Sequence, residues 1–141
     1  MNTAHSLSVA LLSLAMLLAA VGGSGADANG HVPITTSSPD ALQLYLKARD
    51  LQDRLQAQES LPYLQQAIEK DPGFAAAYLL AAGAQPTNVG FFEYLNKAVA
   101  LADQASEGER LQILAADAGA KGQPMKQQEY LLKLVALFPN D

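Results

Sequence analysis

The sequence predicts an all-α fold, a stack of three helix pairs with six helices in total, and three observations support this prediction. The motif Leu64-x-x-Ala67, followed by Pro72, has a counterpart 67 residues later in Leu131-x-x-Leu134, which is followed by Pro139 at the same offset. Apolar residues recur at helical spacing in six segments, and helix-capping or helix-breaking residues separate these segments. Half of the repeat spacing is about 34 residues, the length of a helix pair that needs a neighbour to bury its apolar face.

The first 26 residues contain no Lys, Arg, Asp or Glu and include an apolar run at residues 7–21. Small residues follow, and Ser24-x-Ala26 and Ala26-x-Ala28 both fit the specificity of signal peptidase. The run is shorter than the roughly 20 residues that a membrane-spanning helix needs. We therefore predict that residues 1–26 are a signal peptide and that the protein is exported, either periplasmic or secreted. An uncleaved N-terminal membrane anchor is the alternative.

The composition excludes several classes of function. The chain has no cysteine, which excludes a disulfide framework, a thiolate metal site and a cysteine nucleophile. The net charge is −5 and the nine basic residues are scattered, so we expect no nucleic-acid partner. His5 and His31 both precede the predicted helices, and the chain has no glycine-rich phosphate loop. We therefore expect a protein that is not an enzyme and that holds no metal or cofactor.

Residues 27–38 are rich in Gly, Pro, Ser, Thr and Asn, and this composition predicts a flexible tether. Ser38-Pro39-Asp40 then provides a helix N-cap, a proline in the first turn and an acid at the positive end of the helix. We predict the first helix over residues 39–56. Its apolar stripe is formed by Leu44, Ala48, Leu51 and Leu55.

The second and third helices are predicted on either side of a break at Asp71-Pro72-Gly73. The second begins at a Ser60 cap and ends at the break. The third, capped by Asp71, extends to about Ala82. Its residues are apolar all round, which predicts that other helices cover it on both sides.

The last three helices have clear start signals. Thr87 caps the fourth, which extends to about Asp103, and Ser106-x-x-Glu109 forms a capping box at the start of the fifth. The sixth begins at Pro124 and extends to about residue 138. We expect its apolar stripe to pack on the fifth helix; the stripe consists of Leu131, Leu134, Val135 and Phe138.

Residues 64–78, which begin with Leu64-x-x-Ala67, resemble the junction between helix B of one tetratricopeptide repeat and helix A of the next. In this family small residues stand where helices cross closely, and a proline follows helix B. The resemblance covers residues 39–141 and implies a right-handed solenoid of about three repeats. The fourth helix is displaced by about three residues toward the N-terminus, so we expect a longer loop after it.

The resemblance also implies that the chain binds a protein or peptide in a concave groove lined by helix A of each repeat. The candidate groove residues are Leu42, Tyr45, Arg49 and Gln52 in the first repeat, Ala76, Leu79 and Gly83 in the second, and Glu109, Gln112 and Ala116 in the third. Tyr45 and Arg49 share one helix face and could anchor a peptide. Alternatively, Tyr45 packs on a neighbouring repeat and Arg49 pairs with Asp53. The lysine and asparagine pattern with which some members bind acidic C-terminal peptides is not matched here.

The sixth helix has more apolar residues than one neighbouring helix can cover. Tyr130, Leu132 and Leu137 remain after its core stripe is assigned. Either these residues form an interface through which the chain self-associates, or a longer protein supplies a further repeat. Two functions are thus predicted. The first is an exported adaptor or scaffold that binds a protein or peptide; the alternative is a regulatory domain or N-terminal fragment of a longer repeat protein whose effector region is absent here.

Overall fold

The structure, a computed structural model, describes Asp27 and residues 29–141, and every regular element in this part of the chain is a helix. The predicted signal peptide, residues 1–26, lies outside the described residues. The helices are α1 Pro39–Asp53, α2 Ala57–Lys70, α3 Ala75–Gly83, α4 Asn88–Leu101, α5 Glu107–Ala120 and α6 Pro124–Leu137. Among the described helices, none is long and apolar enough to cross a membrane. The prediction of an all-α fold with six helices is confirmed.

Consecutive helices pack side by side as three pairs. The most extensive contacts join α1 to α2, α3 to α4 and α5 to α6, and smaller contacts join α2 to α3 and α4 to α5. α3 also touches α5, so the first helices of these two pairs are neighbours. This is the packing of a helical repeat, in which each pair buries its apolar face on the next.

The 67-residue period of the sequence is also the period of the helices. α2 and α6 begin 67 residues apart, at Ala57 and Pro124, and their ends keep the same distance. α4 begins at Asn88, about three residues before the midpoint of those two starts, which is the displacement expected from the sequence. A short 3₁₀ helix, Ala102–Gln104, occupies the longer connection that follows α4.

Three of the predicted caps are confirmed. The side chains of Ser38 and Thr87 each accept a hydrogen bond from the backbone N–H group three residues later. Ser106 forms the predicted capping box with Glu109, in which each side chain bonds the backbone of the other residue. Each of these caps acts within one turn of the chain. The three helices that they cap start where the sequence predicted.

Two predicted caps, Ser60 and Asp71, are wrong. α2 begins at Ala57, and the buried Ser60 hydroxyl donates to the Ala57 carbonyl (2.6 Å). α3 begins at Ala75, and the Asp71 carboxylate accepts the Gly73 N–H inside the preceding turn (3.0 Å). Short polar side chains bond whichever backbone group is within reach, so their presence alone does not set a helix start.

Alanine dominates the core. The first core cluster, between α1, α2 and α3, consists of Ala41, Ala48, Leu64, Ala67, Phe74, Ala76, Ala77 and Ala81. A second cluster joins α3 to α5 and to the end of α4 through Ala75, Ala98, Ala102 and Ile113. α3 contributes to both clusters, as its uniformly apolar sequence predicted. Small side chains at these contacts allow the helix axes to lie close together.

α6 is the least buried helix of the fold. None of its residues, all of which the structure describes, is fully buried, although Phe138 immediately after it is. Leu134 is half-buried, but Leu131 and Val135 are 43% and 62% exposed. These two residues therefore do not form the buried contact with α5 that the sequence predicted.

The end of α1 also differs from the prediction, because Leu55 is 94% exposed instead of joining the apolar stripe. The Leu55 N–H donates to the Gln52 carbonyl and the Gln56 N–H donates to the Leu51 carbonyl. These bonds close the helix with Leu55 in the left-handed region, at φ 63°. α5 closes in the same way 67 residues later, where the left-handed residue is Gly122 at φ 66°.

Leu55→Gly should raise the free energy of unfolding by about 0.5–1 kcal/mol, because glycine adopts the left-handed conformation without a steric penalty. Urea denaturation followed by circular dichroism measures the change. Gly122→Ala is the control, because it makes the opposite change at the equivalent left-handed position after α5. A Cβ at Gly122 would meet no described atom within 4 Å, so its expected loss of about 1 kcal/mol comes from the backbone. A Leu55→Gly chain that is less stable than the wild type would contradict this account.

Candidate binding groove

Six of the predicted groove residues surround a single concave groove. These are Tyr45 and Gln52 from α1, Ala76, Leu79 and Gly83 from α3, and Gln112 from α5. The groove has a volume of about 260 Å³, and Leu80 completes its wall. The first helix of every pair therefore supplies part of one surface.

Tyr45 both packs on a neighbouring helix pair and lines the groove. Its ring packs on Phe74, with the ring centroids 5.0 Å apart, so a neighbouring helix pair holds it in place. It also lines the groove. Burial raises the pKa of the Tyr45 hydroxyl, and the charge of Arg49 offsets part of this effect, so the hydroxyl remains neutral at physiological pH. It can therefore donate a hydrogen bond to a ligand.

The two glutamines of the groove are held by hydrogen bonds. Gln52 Nε2 donates to Ser60 Oγ (3.0 Å) and to the Leu80 carbonyl (3.1 Å), which joins α1 to α2 and α3. Gln112 Nε2 donates to Asp141 Oδ2 (3.2 Å). Because these side chains are already ordered, less side-chain entropy is lost when a ligand binds beside them.

Gly83, the last residue of α3, keeps part of the groove open. A Cβ at this position would meet no described atom within 4 Å. Gly83 is exposed and lines the groove, so a larger side chain here would lie in open space at the groove and not in the core. We therefore expect a bulky side chain at residue 83 to narrow the groove.

The other predicted groove residues lie elsewhere. Arg49 lines a neighbouring cleft of about 560 Å³, together with Asp53. Leu42 and Ala116 are half-buried and lie outside the groove wall. Glu109 is 2% exposed, which places it beneath the surface and not in the groove as the sequence predicted.

Glu109 is buried because each of its carboxylate oxygens accepts a structural hydrogen bond. Oε2 accepts the Ser106 N–H of the capping box (2.9 Å), and Oε1 accepts the Thr35 N–H (2.9 Å). A buried carboxylate requires such partners, because burial without them would be strongly unfavourable. The capping box was visible in the sequence, whereas Thr35 is 74 residues away and carried no signal of this contact.

Residues 29–38, here called the strap, lie along the ends of the helices and do not form the free, flexible tether that the sequence predicted. From Ser38 at the start of α1, the strap passes the end of α2 and the start of α5 and reaches the residues that follow α6. It thereby connects the first helix pair to the third. Its polar composition suggested a free segment, but several of its polar groups bond residues at the helix ends.

Hydrogen bonds attach the strap at two helix ends. At the end of α2, Asp71 Oδ2 accepts from the Thr36 hydroxyl (2.6 Å) and from the Ser37 N–H (2.8 Å). At the start of α5, Ser106 Oγ donates to the Pro33 carbonyl (2.7 Å). The residues that hold the strap are thus the same residues that end one helix and begin another.

Apolar contacts and the last residues of the chain hold the rest of the strap. A Cβ on Gly108 would lie 2.6 Å from both methyl carbons of Val32, so the two residues are in close contact. Ile34 packs against the first core cluster, and Asn140 Nδ2 donates to the Asn29 carbonyl (2.7 Å). The spacing of Val32 and Ile34, two residues apart, is the one sequence signal for an extended segment with a buried side.

Comparison of the chain with protein-family models, curated proteins and solved structures finds no match. In the described residues, no group of three or more His, Cys, Asp or Glu side chains is placed to hold a metal ion. The groove and the strap are the features of the described chain that point most directly to a function.

Asp71→Asn should destabilise the fold more at neutral pH than in acid. Burial raises the pKa of Asp71, but hydrogen bonds from Thr36, Ser37 and Gly73 together outweigh burial and hold this pKa below its ordinary value. The ionised carboxylate therefore stabilises the fold above about pH 4, and this contribution is lost as the pH falls through the lowered pKa of the folded state.

Urea denaturation of the wild type and of Asp71→Asn between pH 7 and pH 3 measures this difference. The wild type should be more stable at pH 7, and the difference should shrink toward pH 3. Asp103→Asn, a substitution at an exposed residue after α4, is the control for loss of one negative charge. A difference for Asp71→Asn that is as large at pH 3 as at pH 7 would show that ionisation of this carboxylate is not involved.

Proposed function

We propose that this protein is an exported binding module that holds an extended peptide of a partner protein in the groove. One observation carries this proposal: residues of α1, α3 and α5, from three different helix pairs, line the same concave surface. Helical repeat proteins bind their partners on extended concave surfaces of this kind. Export belongs to the proposal and is supported by the signal-peptide pattern of residues 1–26.

The size and chemistry of the groove favour a peptide over a small molecule. Its volume of about 260 Å³ is below the roughly 300–1,000 Å³ of typical small-molecule pockets. Leu79 and Leu80 provide apolar walls for one side chain, and the Tyr45 hydroxyl and the Gln112 side chain provide polar groups for a peptide backbone. The ligand class that fits is therefore an extended segment with one apolar anchor residue.

Membership of the tetratricopeptide repeat family is part of the same proposal. It is supported by the 67-residue period of the helix bounds, by the full burial of Ala48 and Ala67, and by Pro72, the second residue after α2. A regulatory domain of a longer repeat protein would use the same groove.

The exposed side of α6 is a second candidate for binding. The exposed large apolar residues of α6 are Met125, Leu131, Leu132, Val135 and Leu137. At about 3.6 residues per turn, the first four fall on one side of the helix, here called the α6 face, whereas Leu137 points away from it. Tyr130 is half-buried. The α6 face thus replaces the predicted interface of Tyr130, Leu132 and Leu137, of which Leu132 alone belongs to it.

The 67-residue period relates one residue of the α6 face to a residue of α2 that other helices cover. Leu131 corresponds to Leu64 of α2, which is fully buried in the cluster that α2 forms with α1 and α3. The same position of the repeat is thus covered on α2 and 43% exposed on α6. We propose that α6 of a second copy of this chain covers the α6 face.

A pairing of α6 with α6 fits the surfaces better than head-to-tail stacking does. In a head-to-tail stack, α6 would meet α1 of the next copy, and the exposed positions of α1 include Gln43, Lys47 and Asp50. A two-fold pairing places one α6 face against another, so apolar surface meets apolar surface in an isologous interface. The second copy is therefore expected to be related by a two-fold axis near α6.

Gly83→Phe should block the groove, and Gly83→Ala should leave it open. The probe is a set of peptides that the wild-type protein selects from a random ten-residue phage library. The selected peptides should share an apolar anchor residue and should bind Gly83→Ala as tightly as the wild type. Their affinity for Gly83→Phe should fall at least about tenfold, which corresponds to roughly 1.4 kcal/mol. Calorimetry measures the affinities, and circular dichroism verifies that both variants are folded.

Two outcomes would contradict the proposed groove. One is that no peptide with a shared anchor emerges from the selection. The other is that the selected peptides bind Gly83→Phe as tightly as the wild type, which would place their site elsewhere. Gly83→Ala controls for any effect of the substitution on α3, because it adds a single methyl group at the same position.

Leu132→Glu combined with Val135→Glu should make the protein monomeric, because two charges on the α6 face would have to be buried in the interface. Light scattering over a range of concentrations should show dimers for the wild type and monomers for the double variant. Leu137→Glu is the matched control, since it places a charge on the same helix away from the α6 face, and it should remain dimeric. A wild-type protein that stays monomeric at high concentration would exclude this pairing.

A further inference from the structure

The strap contacts the helices as a bound peptide would. Its backbone is recognised on both sides of Ile34, because the Thr35 N–H donates to Glu109 Oε1 (2.9 Å) and the Pro33 carbonyl accepts from Ser106 Oγ (2.7 Å). The Thr35 hydroxyl accepts the Ser106 N–H (3.0 Å). Backbone hydrogen bonds combined with apolar sites for alternate side chains are how extended peptides are commonly recognised.

Helices, and not the strap, shape the surface beneath it. Ser106 and Glu109 are held by the capping box of α5, so their hydrogen-bonding groups are already placed for a ligand. Gly108 leaves a space that Val32 fills, and Phe138 borders this space at 3.0 Å from the position of a Cβ on Gly108. Ser106, Gly108, Glu109 and Phe138 are here called the track.

The strap is covalently joined to the helices at one end, through Ser38 at the start of α1. Its other end is held by contacts near the surface, among them the bond from Asn140 to the Asn29 carbonyl (2.7 Å) and the approach of His31 Nδ1 to Asp141 Oδ1 (3.5 Å). A segment attached in this way can leave the track without any helix being unwound.

We infer that the track is a peptide-binding site, that the strap is its resident ligand, and that an extended segment of another protein can replace the strap. The incoming segment carries an apolar residue, a proline, a second apolar residue and a threonine, as Val32 to Thr35 do. The apolar residues take the places beside Gly108 and against the first core cluster. The track lies next to the groove but is lined by different residues, so this site is separate from the one proposed above.

The covalent attachment of the strap determines the size of the expected effect. A segment tethered close to its site competes at an effective concentration on the order of millimolar. A peptide in solution must therefore bind the wild-type chain much more weakly than a chain whose strap has been released. For a free peptide with a dissociation constant of up to about 0.1 mM, release of the strap should raise the apparent affinity at least about tenfold.

The probe is a fluorescent peptide with the sequence of residues 29–38, titrated in anisotropy measurements with the full chain. Val32→Asp combined with Ile34→Asp releases the strap, because charged side chains cannot occupy its apolar sites. This variant should bind the peptide at least about tenfold more tightly than the wild type does. A peptide that itself carries Val32→Asp and Ile34→Asp should bind neither chain.

A chain with Gly108→Ala and a peptide with Val32→Ala together test whether the peptide binds beside Gly108. Gly108→Ala places a methyl group 2.6 Å from the methyl carbons of Val32 and 3.0 Å from Phe138 Cε2, so the tighter conflict is with Val32. It should not impair α5 itself, because alanine is the better helix former. The Gly108→Ala chain should therefore prefer a peptide that carries Val32→Ala over the original peptide. The strap-released chain, which keeps Gly108, should show the opposite preference.

The outcomes are distinct. A strap-released chain that keeps its helical circular dichroism but fails to bind the peptide would overturn the inference, and so would an unchanged peptide preference in Gly108→Ala. If the released chain loses its helices, its failure to bind says nothing about the track. The peptide preference of the Gly108→Ala chain then tests the inference by itself. Gly83→Phe should leave binding of the strap peptide unchanged, so a failure of the groove proposal and a failure of this one can be told apart.

Discussion

Close packing of alanine on both sides of α3 is the constraint on which the rest of this structure depends. Ala76, Ala77 and Ala81 of α3 belong to the first core cluster, and Ala75 belongs to the second. Because these side chains are small, α3 lies close to the helices on either side of it. α1, α3 and α5 can therefore contribute to one narrow groove, and the start of α5 is within reach of the strap that leaves the start of α1.

Glu109 joins a local feature of the chain to a distant one. One carboxylate oxygen completes the capping box at the start of α5, and the other accepts the N–H of Thr35 in the strap. In a simple solenoid each repeat contacts its nearest neighbours alone. The strap adds a direct link between the first and third helix pairs, so the stability of these pairs is coupled through a segment that is neither helix nor strand.

The two ends of the helix stack have different surfaces. α1 presents polar residues such as Gln43 and Lys47, which is the surface of a capping helix. α6 instead exposes Leu131, Leu132 and Val135 on one side. The counterpart of Leu131 on α2, Leu64, is fully buried, whereas Leu131 is 43% exposed. This asymmetry is why an intermolecular contact is proposed at α6 and none at α1.

The sequence by itself determined the helices, their period and most of the groove. Ser38, Thr87 and Ser106 set helix starts through bonds to residues three positions away. The register implied by the resemblance to tetratricopeptide repeats predicted that Tyr45 and Gln112 line the groove, and both do. Only the tertiary structure decided the burial of Glu109, the course of the strap and the exposure of Leu55. These depend on bonds to residues as far as 111 positions away, or on how a helix ends, and neither is encoded in local periodicity. In the strap, the spacing of Val32 and Ile34 indicates an extended segment but not which surface covers it, so the helices that it meets determine its course.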